Sequence, residues 1–170
     1  MHIGRILALA GSVLAAMGLA LSALIMDGVD ELPALSGAVV GVPDGVPTIF
    51  GGLDTWAKVV VVGLLIVIVI LAVRPPIRQP QDVISAGITA LAGVVFLVYG
   101  VVKYLETRDD ATALRAVFDQ LNAAGALPEN LQASLVNAGF GFWIIILGTA
   151  VIVVGGVAGL FAGRRQTAEA

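Results

Sequence analysis

Four long apolar blocks alternate with polar or proline-rich segments along this chain. The blocks cover residues 3–26, 56–73, 83–104 and 139–163. Each approaches the roughly 20 residues that a helix needs to cross a hydrocarbon core. The pattern predicts an all-α membrane protein, a bundle of four transmembrane helices. Two long loops, 27–55 and 105–138, and one short loop, 74–82, would join them.

The first block carries Arg5 near its start, a basic beginning that a secretory signal peptide would share. Its apolar run is longer than an ordinary signal core, and residues 20–23 match a cleavage site only loosely, so a retained helix is expected. Gly4, Ala8, Ser12, Ala16 and Ala20 recur every four residues, a stripe of small side chains that would let another helix come close. The second block is nearly continuous Val, Ile and Leu, with only Gly63 small near its middle, which predicts a helix facing lipid over much of its girth. Ala86, Thr89, Ala90 and Gly93 give the third block a small face of its own. The last block enters through Phe140, Phe142 and Trp143, carries Gly155, Gly159 and Gly163, and closes on Arg164-Arg165. Those glycines would either pack against the stripe of span one or dock a second membrane subunit, and the matching stripe favours the internal pairing. Trp56, Tyr104, Phe140 and Trp143 are expected to anchor the spans at the membrane interfaces.

The loops read differently from one another. Prolines 33, 43 and 47 forbid a long helix in the first loop. Residues 39–42 and 48–50 carry strand-forming side chains on either side of Pro43-Asp44-Gly45, which predicts a short β-hairpin. The second loop reads as a short amphipathic helical hairpin. Thr107 and Asp110 resemble a capping box, Leu114, Val117, Phe118 and Leu121 follow at helical spacing, and Gly125 would end that arm. Pro128 would open the second arm, with Leu131 and Leu135 on one side.

Charge then orients the bundle. An even number of spans puts both termini on one side, together with Arg5, Arg74, Arg78, Arg164 and Arg165, all close to span ends and with only Asp82 and Glu169 beside them. Lys58, Lys103, Arg108 and Arg115 lie on the other side among ten acidic residues. The positive-inside rule makes both termini cytoplasmic and both long loops extracytoplasmic.

Candidate chemistry is sparse. His2 is the only histidine, too isolated for a triad or a multi-histidine metal site. Asp27, Asp30 and Glu31 could share one face at the end of span one, as a hard cation such as Ca²⁺ would want, but their spacing fits no recognised calcium loop. An acidic flank that stops the span is the plainer reading. Asp109-Asp110 stand where a helix would begin and are read as carboxylates serving its free amides. There is no phosphate-binding glycine loop, nucleophile elbow or HExxH pair, and no basic patch for nucleic acid. The absence of cysteine excludes disulfides and thiolate chemistry. No catalytic, cofactor or metal residue is therefore expected. Between their interfacial residues the four blocks carry no ionisable side chain and no proline, which argues against a proton relay, an ion pathway or a coupled transporter. It does not argue against an apolar ligand such as a lipid.

Composition agrees with the blocks: 59% of the 170 residues are hydrophobic, and mean hydropathy is +1.03, well above soluble proteins. The Ala, Gly and Val bias, the entry Gly51-Gly52-Leu53-Asp54-Thr55-Trp56 and the run Gly139-Phe140-Gly141-Phe142-Trp143 carry a whole-chain resemblance. In layout the chain resembles the uncharacterised four-span membrane proteins of high-GC Gram-positive bacteria, mycobacteria among them. The resemblance implies a bacterial plasma-membrane setting and no activity. The loop cysteines of claudin-type four-span proteins are missing. The expected function is that of a non-enzymatic accessory subunit of a larger membrane complex, partnered by the bilayer and another integral subunit. The alternative is a protein that binds a lipid or another hydrophobic solute.

Overall fold

The computed structural model describes residues 2–74, 79, 81–127 and 136–168. Its elements run α1 (Ile3–Leu19), β1 (Leu24–Ile25), a 3-10 turn at Val29–Glu31, α2 (Leu32–Ser36), α3 (Thr55–Val73), α4 (Val83–Ala123), β2 (Asn137–Ala138) and α5 (Gly141–Ala168). Most of the described chain is helical. Three stretches, Thr55–Val73, Val83–Ala123 and Gly141–Arg164, are long and apolar enough to cross a membrane, while the apolar Ile3–Leu19 is shorter at 17 residues.

Local chemistry sets the helix ends. The His2 imidazole accepts the Gly4 N–H through Nδ1 at 3.2 Å and caps α1, so the lone histidine has a structural place. Arg74 ends α3 in an extended conformation (ψ 130°), as suits a residue that precedes a proline. Asp82 caps α4 by accepting the Ser85 N–H at 3.1 Å. Hydrogen bonding from the Ser85 side chain, then from its amide, holds the Asp82 carboxyl below the usual carboxylate range. A lowered value means that the stabilisation is complete above the unfolded pKa and is lost as pH falls through the folded one. Asp82→Ala is therefore expected to cost about 1 kcal/mol at neutral pH. Wild type and variant should converge in strong acid, as paired thermal melts in detergent at the two pH values would show.

Helix α5 lies between α1 and α4, and α3 closes the bundle against α1 and α4. Two apolar clusters fill it. One, at the end away from the chain termini, gathers Ala15, Leu19, Val61, Phe96, Phe142 and Ile145 with Ile49 and Leu53 of the first loop. The other, nearer the termini, gathers Ala8, Ile68, Ala72, Ala92 and Ile152.

A third cluster stands outside the bundle and forms a cap. Met26, Leu32, Val42, Ala111, Leu114, Phe118 and Val136 meet there, drawn from the first loop, the far half of α4 and the approach to α5. The antiparallel pair β1–β2 ties it together, with Leu24 opposite Ala138 and Ile25 opposite Asn137. At 1.5 Å per residue the 41 residues of α4 reach about 60 Å, twice a hydrocarbon core, so its second half must serve the cap.

The cap corrects three expectations. Span one was expected to reach residue 26, but its helix stops at Leu19. Beyond it the backbone turns to the first loop, where the N–H groups of Ala23, Ile49 and Phe50 donate to the carbonyls of Pro47, Leu21 and Leu19. Among the apolar residues that follow, Met26 is buried in the cap core and Leu24 packs against it, so they serve the cap instead of lengthening the helix. The expected hairpin of 39–42 and 48–50 does not form: Thr48 bridges Ser22, Val39 ends the turn after α2, and Val42 enters the cap core. The first arm of the expected helical hairpin is no separate helix. Thr107 and Asp110 lie inside α4, which crosses them without a break because neither Gly nor Pro interrupts 101–124. Gly125, at φ 67°, ends α4 where expected, with the Ala126 N–H returning to the Leu121 carbonyl. The second arm, Pro128 to Leu135, lies outside the described residues.

Candidate functional site

The closest approach in the bundle is a seam between α1 and α5. The helices run antiparallel and place glycine on glycine three times: Gly4 on Gly155, Gly11 on Gly148 and Gly18 on Gly141. A Cβ added at Gly4 would lie 2.7 Å from the Gly155 carbonyl oxygen, and one at Gly148 would lie 2.6 Å from the Ala15 nitrogen. Backbone thus packs directly on backbone, the close approach for which small residues are enriched in membrane helices. Ile145 and Ile152 stand between the glycines and are buried.

The expected small-residue positions divide across this seam. Gly4, Ala8 and Ser12 are buried, whereas Ala16 and Ala20 are exposed. A four-residue step turns a helix by 400°, so such a stripe drifts about 40° per step and leaves the contact within three turns. The buried face instead steps through Gly4, Ala8, Gly11, Ala15 and Gly18, close to a 3.5-residue period. On α5, Gly155 faces α1, the Gly159 backbone lies against Gly4 of α1 while its open side faces Ala86 and Gln81, and Gly163 faces Gln81 and Val83 at the start of α4.

At the end of the bundle that holds the termini, Arg5 is buried, with 4% of its surface exposed. Its Nη1 donates to the carbonyls of Ala72 (3.1 Å) and Arg74 (2.6 Å), and its Nε donates to the Gln79 carbonyl (3.0 Å). The last carbonyls of a helix lack intrahelical donors, and a cation there also meets the negative end of the helix dipole. Gln81, equally buried, donates to the Leu71 carbonyl at 3.1 Å. Two side chains from outside α3 therefore finish its C-terminus.

The aromatic anchors are partly brought together. Tyr104 meets Trp143 at 5.4 Å and Phe142 at 6.0 Å between ring centroids. Trp56 stands edge-on to Tyr99 at 6.4 Å as a separate pair, and Phe140 is exposed outside both groups. Between α3 and α4 a narrow apolar crevice of about 120 Å³ runs past Trp56, Leu64, Phe96 and Tyr99.

Two larger openings mark the cap. An open apolar groove of about 580 Å³ runs between Leu24, Val42 and Pro43 on one side and Ala113, Leu114 and Val117 of α4 on the other, with Asp110 at its edge. Beside it, Val40 is 99% exposed. A polar pocket of about 420 Å³ opens between α4 and the β2–α5 junction, lined by Tyr104, Arg108, Thr112, Arg115, Asn137 and Trp143. The Arg115 guanidinium donates to the Val136 carbonyl and the Asn137 side-chain oxygen.

The acidic candidates scatter. Asp27 precedes the 3-10 turn, Asp30 and Glu31 lie within it, Asp109 and Asp110 sit within α4, and among the described residues no three carboxylates or imidazoles gather closely enough to hold a metal. Sequence reasoning missed the buried roles of Arg5 and Gln81 and the glycine pairs at 11–148 and 18–141. The pairs had a signal, because glycine recurs every seven residues at 4, 11 and 18 and again at 141, 148 and 155. No protein-family model matches the chain, and neither a curated protein nor a solved structure matches it significantly.

Proposed function

We propose that this is a non-enzymatic protein with four spans in a bacterial cell membrane, its termini cytoplasmic and its cap outside. Its role is that of an accessory subunit that positions a larger membrane complex. The fourth span in this reading is α1, which is short but lies along α5 from Gly4 to Gly18 and so shares its depth. The arginines near both termini, against the acid-rich cap, support the orientation.

One observation carries the role. The apolar groove and Val40 lie on the cap, where no lipid covers apolar surface, and such patches mark interaction sites on soluble surfaces. The glycine faces are occupied within the chain, so the cap is where a partner would be engaged. The partner in this reading is an extracytoplasmic segment of another membrane subunit, with apolar anchors for the groove. A photo-crosslinker at Val40 in native membranes should give one discrete adduct with an integral membrane protein. Ala113→Glu, a charge on the exposed groove wall, should abolish it. Recovery of the uncrosslinked chain alone, or an adduct indifferent to Ala113→Glu, would count against the role.

A further inference from the structure

We propose that the polar pocket between α4 and the β2–α5 junction binds a phosphate-bearing anion, supplied by the headgroup of an anionic phospholipid in the leaflet beside the cap. Depth is the first argument. Tyr104 and Trp143, their rings tilted against each other with centroids 5.4 Å apart, both line the pocket, an aromatic pair of the kind that marks the membrane–water boundary. Arg108 follows Tyr104 by one helical turn, about 6 Å further out. The headgroup layer on each side of a bilayer is about 5–7 Å thick, so Arg108 stands at phosphate level. Helical side chains lean toward the helix N-terminus, which brings the Arg115 side chain back toward the same level.

Chemistry is the second argument. Arg108 and Arg115 bring two positive charges to the lining and no carboxylate shares it. Glu106, the nearest acid toward the membrane, is held by Lys103 at 2.6 Å. Among the described residues Arg108 has no ion pair, and Arg115 commits Nε and Nη2 to the β2 junction, leaving Nη1. A planar guanidinium suits phosphate oxygens in pairs. The Thr112 hydroxyl gives its proton to the Arg108 carbonyl at 2.9 Å, which fixes the pocket wall against the same turn of α4. The pocket holds about 420 Å³, room for a phosphodiester headgroup, and Trp143 in its lining would meet the first carbons of the acyl chains.

The test is retention of lipid by the full-length protein. Purified protein in nanodiscs of phosphatidylcholine, with and without phosphatidylglycerol, is followed by native mass spectrometry and by thermal melting. Wild type should keep phosphatidylglycerol preferentially and melt higher in its presence. Arg108→Ala should weaken that preference about tenfold, as loss of a charge-assisted contact implies, and Arg108→Lys should restore part of it. Arg108→Ala should melt like wild type in pure phosphatidylcholine, because its side chain holds no other element. Lys58→Ala, whose Nζ lies over Phe50 away from the pocket, should leave the preference unchanged. Unaltered phosphatidylglycerol retention in Arg108→Ala, or equal retention of both lipids by wild type, would overturn the proposal. Stabilisation by inorganic phosphate in pure phosphatidylcholine that matches phosphatidylglycerol would overturn the lipid as the source of the anion.

Discussion

Gly148→Leu is expected to destabilise the bundle by about 3 kcal/mol or more, the upper end for overpacking a closed interior. That corresponds to a fall of about 10 °C in melting temperature. At Gly148 an added Cβ would lie 2.6 Å from the Ala15 nitrogen, 2.7 Å from the Gly11 oxygen and 3.0 Å from the Leu14 Cβ. Two of those atoms are backbone on the facing helix, so no rotamer change can make room and α1 must move away from α5. Gly63→Leu is the matched control. It puts the same side chain on α3 where an added Cβ meets nothing within 4 Å, and it removes a poor helix former. Trp56 and Trp143 fluorescence in detergent would follow both melts. If the two substitutions shifted the transition equally, the glycine seam would not hold the bundle together.

The second large effect belongs to Arg5→Ala, which is expected to cost about 3 kcal/mol, the scale of a hydrogen bond to a charged group lost at a buried site. The alanine leaves the Ala72, Arg74 and Gln79 carbonyls without the donors that Arg5 supplies at 2.6–3.1 Å. Arg5→Lys should recover less than half, because one ammonium on a flexible stem cannot reproduce a planar fork bonded to three carbonyls. A thermal melt reads the cost. The chain has no cysteine, so a single Arg74→Cys substitution can be labelled without background. Its labelling should accelerate in the Arg5→Ala background as the end of α3 frays. An unchanged labelling rate would show that Arg5 does not hold that end.

The long helices were legible because lipid and protein ask the same thing of a span, an uninterrupted apolar run with polar ends. The failures come where one signal serves two purposes. Residues 21–26 are apolar enough for lipid, yet Met26 is buried against Leu114 and Phe118 in the cap, and hydropathy does not distinguish those solvents. Thr107 and Asp110 carry the residues of a capping box, but a cap acts only where the backbone breaks, and α4 does not break there. Arg5 counted in the sequence as a topological charge; its burial depends on the end of α3, 67 residues away along the chain. The four-residue stripe was visible because it is dense, whereas the glycines that make contact are sparser and repeat every seven. The cap openings could not be read at all, since Arg108 and Asn137 meet only after α4 has run past the bundle and β2 has paired with β1.

The seven-residue spacing on both helices leaves the seam with a choice. Sliding α1 along α5 by seven residues, about 10 Å, would set Gly4 on Gly148 and Gly11 on Gly141, keeping two of the three close pairings. Glycine therefore fixes how near the helices lie but defines a ladder of allowed offsets. The rung is selected at the two ends, where Arg5 grips the carbonyls of α3 and β1 pairs with β2. Neither contact survives the slide. The few polar ties at the ends act as a ruler for a seam that is apolar along its length, and loosening both would leave a bundle with more than one register.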